Sequence, residues 1–361
     1  MIDCMSITKK TTSVWIEAPI SSIGSVVGGG TPSTKHDEYY DGDIAWITPK
    51  DLSGHHGRYI SRYISHGERS ISTAGYNYSS AQMLPAGTVL FSSRAPIGYI
   101  AIAKNELCTN QGFKSIIPKL DVCNSDFLYY LLSHYKGDIE TIASGTTFME
   151  FSGTALKNFI VKIPELSTQE AIAGILSSFD DKIELNTRIN QNLEAQAQAI
   201  FKSWFVDFEP FQDGKFVDSP LGLIPEGWKV GTMGEIIELH DSKRVPLSGS
   251  QREKMKKIYP YYGAASLMDY VEDYLFDGIY ILLGEDGTVV TDGGMPVLQY
   301  VWGKFWVNNH AHILTGKIGH SPETLYILLK NTPIKSIVTG AVQPKISQAN
   351  LKSVPVIIGP N

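Results

Sequence analysis

The sequence is poor in cysteine, in long apolar runs and in catalytic signatures. Only three cysteines occur in 361 residues, Cys4, Cys108 and Cys123. Their number is odd and no two form a C-x-x-C pair. That excludes a disulfide framework and a paired-cysteine zinc site, and it predicts reduced thiols in a cytoplasmic protein. No apolar stretch approaches the ~18 residues needed to cross a bilayer. The opening stretch, MIDCMSITKKTTSVW, has no signal-peptide core, so no membrane partner is expected. There is no glycine-rich phosphate loop ending in Gly-Lys-Ser/Thr and no H-E-x-x-H helix. An adenine-methylation motif would need an acid or amide, two prolines and an aromatic. The nearest string, Tyr259-Pro260-Tyr261-Tyr262, lacks the first residue and one proline. His55, His56, His310 and His312 have no third ligand at matched spacing, so no metal is assigned. A stand-alone nuclease or methyltransferase is therefore disfavoured, and the chain is read as non-catalytic.

An excess of positive charge is also missing. The net charge is −6, which taken whole argues against a polyanionic partner. Its distribution alters that reading. Residues 166–220 hold four cations against nine acids, whereas residues 1–165 hold 14 against 15 and residues 221–361 hold 13 against 13. The excess acid is confined to the middle, and near-neutral flanks can still carry local basic faces.

What is present is a heptad between two similar halves. Ile172, Leu176, Phe179, Ile183, Asn186, Asn190, Leu193, Ala197, Ile200 and Trp204 step by four and three without a slip. That is the a/d pattern of a helix packed along one seam. Ser167 and Thr168 suit its N-cap, and Pro210 stops it. Residues 168–206 would span about 55–60 Å at helical rise. Asn186 and Asn190 in the seam would fix register and partner geometry. The seam either covers the chain's own domains or meets another long helix; its length favours the second.

The halves repeat in order. FLYYLL (127–132) matches TLYILL (324–329), and residues 144–165 match 339–360 through A-L-K and N-L-K. GTVLFSSRAPIGYIAI (87–102) parallels GIYILLGEDGTVVTD (278–292), each read as strand, tight loop, strand. LCTNQGFKSIIP (107–118) parallels FWVNNHAHILTG (305–316). Four segments in one order indicate duplication. The expected fold is α+β: a first domain at 1–165, a long helix at 166–209, a linker at 210–220 and a second domain at 221–361. A complete duplication would place a second long helix after residue 361, so that distal helix reads as absent, to be supplied by another chain or lost by shortening.

The run QEAIAGILSSFDDKI (169–183), then FKSWFVDFEPF (201–211), then LGLIPEGWKVGTMGEII (221–237), resembles the specificity subunit of type I restriction-modification enzymes. GGGTPS (28–33) and DGDIAWITPKDL (41–52) are similar to one class of target-recognition domain. The resemblance implies that each domain reads one half of a split, asymmetric site in double-stranded DNA. It implies docking of modification (methyltransferase) subunits on the helix and association with a restriction (endonuclease, translocase) subunit. Cofactors would belong to those partners: S-adenosylmethionine to the modification subunit, ATP and Mg to the restriction subunit, none to this chain. The missing distal helix raises self-association, or a second helix supplied in trans. The rival reading is a two-domain coiled-coil scaffold without nucleic acid.

Base reading needs forked or amide side chains on loops, and phosphate gripping needs cations and small donors. In the first half the candidates are Thr31, Lys50, Arg58, Arg62, Ser92, Ser93, Arg94, Asn110, Gln111, Thr146 and Thr147. Arg94 suits either a two-bond contact to guanine or a structural ion pair. In the second half they are Lys243, Arg244, Asn308, Asn309, His310, Gln343 and Lys345, with the run REKMKK (252–257) as phosphate contacts or a solvated face. Paired amides suit adenine but also cap turns. Gly28-Gly29-Gly30 reads as a turn rather than a phosphate cradle. The helix seam is the expected partner-binding surface.

Overall fold

A computed structural model describes residues 15–53, 61–94, 96–143, 150–317, 319–340 and 342–360. It resolves the chain into two compact units, Met1–Asn190 and Gln191–Asn361. One helix, Leu166–Phe205, runs through that division. At helical rise its 40 residues extend about 60 Å. It begins earlier than the expected cap: the Glu165 carbonyl accepts the amides of Thr168 and Gln169, so Ser167 already lies inside the helix.

The first unit is built on a five-stranded sheet. Its order is Gly24–Gly28, Lys114–Pro118, Val89–Phe91, Ile100–Ala103, Tyr63–Ile64. Val89, Leu90 and Phe91 are all buried, as a strand covered on both faces requires. A helix at Ser125–His134, capped by Asn124, lays Phe127, Leu128, Leu131 and Leu132 onto the core. A short helix, Gly153–Asn158, leads into Ile160–Ile163, which pairs antiparallel with Ile16–Pro19.

The second unit repeats this frame. Ile237–Leu239, Ala311–Gly316, Phe276–Gly284 and Leu298–Val307 lie in the same antiparallel order, extended by Tyr259–Tyr262 and Leu267–Val271. The helix Pro322–Lys330 buries Leu325 and Leu329, where the first unit buries Leu128 and Leu132. Gln348–Lys352 and the pair Lys229–Thr232 with Pro355–Ile358 complete it. Two expectations are corrected. The second strand of the parallel segment is Leu298–Val307, and residues 287–292 form a loop holding only the Val290–Pro296 bridge. The expected linker, 210–220, carries the first strand of a hairpin, Phe216–Ser219, whose partner Gly222–Pro225 opens the expected second domain.

Arg62 is not on a DNA-facing surface. It is 7% exposed and faces Asp126 at 3.0 Å and Asp181 at 3.2 Å, with Asp180 at 3.9 Å. Tyr130 donates to Asp180 (2.7 Å) and Ser61 to Glu184 (2.9 Å). Gln169, fully buried, donates to the Val122 and Pro164 carbonyls and accepts the Asn124 amide. Ala173 enters the core, with Ile172 packed against it, so Ile172 belongs to the docking side rather than the open seam. Burial lowers the Arg62 guanidinium's affinity for its proton, but its acid and phenol neighbours outweigh this and raise it.

Glycines 28–30 close no turn. A Cβ on Gly29 would fall 2.0 Å from the Asn110 carbonyl oxygen, and one on Gly30 would fall 2.3 Å from the Ala81 amide. The backbone here is pressed against two neighbours, and the Trp46 indole donates to the Gly30 carbonyl (3.0 Å).

Replacing Arg62 by Met removes the buried cation that the partly exposed Asp126 and Asp180 share, so the first unit should lose about 1–2 kcal/mol of stability in urea unfolding. A loss below about 0.5 kcal/mol would return Arg62 to a solvated surface.

Candidate nucleic-acid interface

Each unit carries the same polar turn on the same support. In the first, the Asn110 amide donates to the Ile47 carbonyl (2.9 Å), and the Asn110 side chain accepts the Gly112 amide (2.9 Å). In the second, the Asn308 amide donates to Tyr262 (3.0 Å), and its side chain accepts the His310 amide (2.8 Å). A neighbouring strand end buttresses each turn. Ser93 donates to Gly112 and accepts from Phe151, both at 2.8 Å; Glu285 donates to His310 and accepts from Ile346, both at 2.8 Å. Positions 93, 110, 112 and 151 thus correspond to 285, 308, 310 and 346.

In the first unit this frame gathers Thr31, Arg94 and Gln111. The Thr31 hydroxyl donates to the exposed Gln111 side chain. Arg94 is half exposed and pairs with Glu150 at 3.2 Å. Pro49 packs on Gly112 and brings the exposed Lys50 nearby, paired with Glu68 at 2.8 Å. Ser92 and Ser93 are fully buried; their hydroxyls donate to the Pro96 and Gly112 carbonyls, so they stabilise the loop and do not touch DNA. Asn110 is spent on its turn. Arg58, Thr146, Thr147, His55 and His56 lie outside the described residues.

In the second unit Asn309, His310, Gln343 and Lys345 are exposed, as is Lys243. His310 faces Asp286 at 2.7 Å and Lys345 faces Glu285 at 3.3 Å. Asn308 is buried beneath them. Arg244 is not a phosphate contact. Its guanidinium lies inside the unit, donating to Glu285 (2.6 Å) and to the carbonyls of Ala311 (2.9 Å), Asn309 (3.2 Å) and Asp241 (3.1 Å). Arg252 and Lys257 are likewise committed, both to Asp269. Hydrogen bonds from Lys257 first, then the Tyr270 amide, hold the Asp269 carboxyl down at about 2.

Asp241, Glu285 and His312 bring their ligand atoms close together, but each is already engaged. His312 faces the Asp241 carboxylate at 2.6 Å and the Ile346 carbonyl at 2.8 Å. Asp241 also accepts from the Ile313 amide and the Gln348 side chain. The Arg244 guanidinium supplies the positive charge that a metal would bring. Burial pushes Asp241 up, yet the bonds from His312 and Ile313 outweigh it and hold the carboxyl below its usual range. Glu285 is held down the same way, by Arg244 against burial.

The sequence family described as "Type I restriction modification DNA specificity domain" matches residues 13–195 and 225–361. The chain belongs to this family. It is 36% identical to the type I restriction enzyme MjaIX specificity subunit of Methanocaldococcus jannaschii, over 96% of this chain and 83% of the relative. It is 21% identical to the EcoprrI specificity subunit of Escherichia coli, over 94% and 82%. A crystal structure of a type I restriction-modification S subunit from M. genitalium superposes with a TM-score of 0.58 at 17% identity, covering 98% of this chain and 87% of that one, and shares its fold. The role of a type I specificity-family chain is to specify DNA sequence; catalysis belongs to other components of the system.

Two family segments meet in the second unit. Trp228, from IPEGW, is ringed by Phe205, Phe208 and Phe211 at 5.2–5.7 Å. Sequence reasoning missed Asp241 and Gln348 as parts of the polar network. No local pattern marks them, because their partners lie 71 and 107 residues away.

The depressed carboxyls give the second unit an acid limit. A carboxyl held below its unfolded value stabilises the fold above that value and loses this as pH falls through the folded one. Thermal unfolding of the second unit should therefore fall steeply below about pH 4, after a shallower loss below about 6.5 where His240, held neutral by burial, must take up a proton. Asp241→Asn should cost about 3 kcal/mol at pH 7 and flatten the acid limb. An acid limb as steep as the parent's would remove Asp241 from this role.

Proposed function

We propose that this chain reads a split, asymmetric sequence in double-stranded DNA, one half through each unit. Through partner subunits it directs adenine-N6 methylation and restriction. The observation that carries this reading is the pair of equivalent turns, 110–112 and 308–310, which share a backbone frame but differ in exposed chemistry. A duplicated frame with different tips suits two different half-sites. Exposed Gln111 and Arg94 supply amide and guanidinium donors for base edges in the first unit; Asn309, His310 and Gln343 do so in the second. Lys50, Lys243 and Lys345 are then the phosphate-side cations.

The spacer helix supports the partner assignment. Leu176, Phe179, Ile183, Leu193, Ile200 and Trp204 are 38–62% exposed along it, although their heptad spacing demands a packing partner. Modification subunits dock there, together with a second helix supplied in trans or by self-association. The chain itself carries no cofactor; S-adenosylmethionine is bound by the modification subunit, and ATP with Mg by the restriction subunit. It works in the cytoplasm, and among the described residues no helix is long and apolar enough to cross a membrane.

Co-expression with its modification subunit in a methylation-free host, followed by mapping of N6-methyladenine, should yield one split asymmetric motif. Absence of methylation with both proteins folded would refute the reading. Leu193→Asp should abolish co-purification with the modification subunit while leaving each unit's unfolding transition within about 0.5 kcal/mol of the parent. Retained co-purification would move the docking surface off the seam.

A further inference from the structure

The two turns are supported by different chemistry beneath the same backbone. Under the first turn lie neutral groups: Ser93 beside it and Gly112 at its end. Under the second lies a buried charge network. The Arg244 guanidinium accounts for it: one nitrogen, Nη1, approaches the Glu285 carboxylate and the carbonyls of both Asn309 and Ala311, the residues on either side of His310. Nε donates to the Asp241 carbonyl. Asp241 in turn holds His312, the Ile313 amide and Gln348. The Arg244 guanidinium therefore ties the segments near residues 241, 285 and 309–311, and Asp241 and His312 extend the network to 313 and 346–348.

We propose that Arg244 is a positioning residue for base recognition by the second unit, one that sets the Asn309–His310 tip without touching DNA. The proposal rests on the split-target reading above. Arginine is suited to this because its donors are fixed in one plane: Nε holds the Asp241 carbonyl while the two Nη1 hydrogens are shared among the Glu285 carboxylate and the Asn309 and Ala311 carbonyls, and a lysine ammonium cannot serve both sides at once. Glu285 keeps the cation in place, and Asp241 closes the far side. The His310 amide is meanwhile fixed by Asn308, and its ring faces Asp286. The tip's backbone is thus set from below while both its side chains stay exposed. The first unit has a serine where the second has Glu285, so it owes nothing to such a fork, and damage to Arg244 stays within one half of the target.

The test uses the full chain with its modification subunit and compares methylated motifs of the parent, Arg244→Met and Arg244→Lys, using the host genome as probe. The expected result is an unchanged first half and spacing, with preference at one or more second-half bases falling about ten-fold or more. Lysine should restore this only in part. A protein merely weakened by the substitution would lose methylation at all sites together, keeping the same motif. Should Arg244→Met fail to fold, as judged by its unfolding transition, Arg244→Lys decides alone: a degenerate second half supports the proposal. Identical motifs in the parent and the folded variants would overturn it. A parent without any split motif would overturn the split-target reading, and this proposal with it.

Discussion

Backbone amides at an exposed tip must be satisfied from beneath, and in this chain an asparagine side chain does that in each unit. Asn110 accepts the Gly112 amide and Asn308 accepts the His310 amide, at 2.9 and 2.8 Å. An orphaned amide of this kind costs about 1–3 kcal/mol. With the turn closed internally, the side chains at 111, 309 and 310 carry no structural duty to their own backbone. They are free to differ between units while the frame stays fixed. Separation of support from display is what a duplicated reader of two sequences requires.

The spacer helix obeys a second separation. Its docking positions are largely polar and individually matched. Within the first unit these are Gln169, Asp180, Asp181 and Glu184; within the second, Glu194 bonds Lys330 and Gln198 bonds Asn331, while Phe201 is buried. Ile172, Ala173 and Phe205 add apolar docking contacts, while Leu176, Phe179, Ile183, Leu193, Ile200 and Trp204 stay open. Polar docking defines one geometry, because a slip of one residue would bury unpaired charge. Apolar docking tolerates more variation. The helix therefore has a specific attachment to its own units and a broad apolar surface for others.

The fold was largely legible. The heptad marked the helix, whose start at Leu166 agrees with the expected 166–209 and whose end at Phe205 falls four residues short, because a 3.5-residue period over ten positions has no strand alternative. The repeat marked equivalent elements wherever an apolar stripe or an Asn-led turn recurs, as at 127–132 and 110–112. It misled at 287–292, where the β-branched run Thr288-Val289-Val290-Thr291 looks like strand but the chain loops before pairing at Leu298. Local β-propensity cannot report which distant strand is available as a partner. The candidate site was legible in part. Exposed tips at Gln111, Asn309 and His310 follow from turn chemistry. Arg62 and Arg244 were misassigned because a cation in a polar string looks the same whether it faces solvent or a carboxylate 41 or 119 residues away; Ser92, Ser93 and Asn308 were misassigned because a polar side chain that serves the backbone of its own loop looks the same as one that faces solvent.

The two units also show how such a frame can change its display without losing stability. A bridge joins residue 94 to 150 in the first unit and 286 to 345 in the second. The first has a base facing an acid and the second an acid facing a base. Charges stay balanced across both junctions, since Arg94 pairs with Glu150, and Lys345 with Glu285 beside the bridge. A half-exposed pair such as Arg94 with Glu150 adds little to stability, so exchanging its signs costs little. It nevertheless reverses the charge at residue 94 or 286, one residue beyond the buttress of each turn. Substitution at these junctions alters what a polyanion meets first, while the buried amide-to-carbonyl bonds that hold the frame are left untouched.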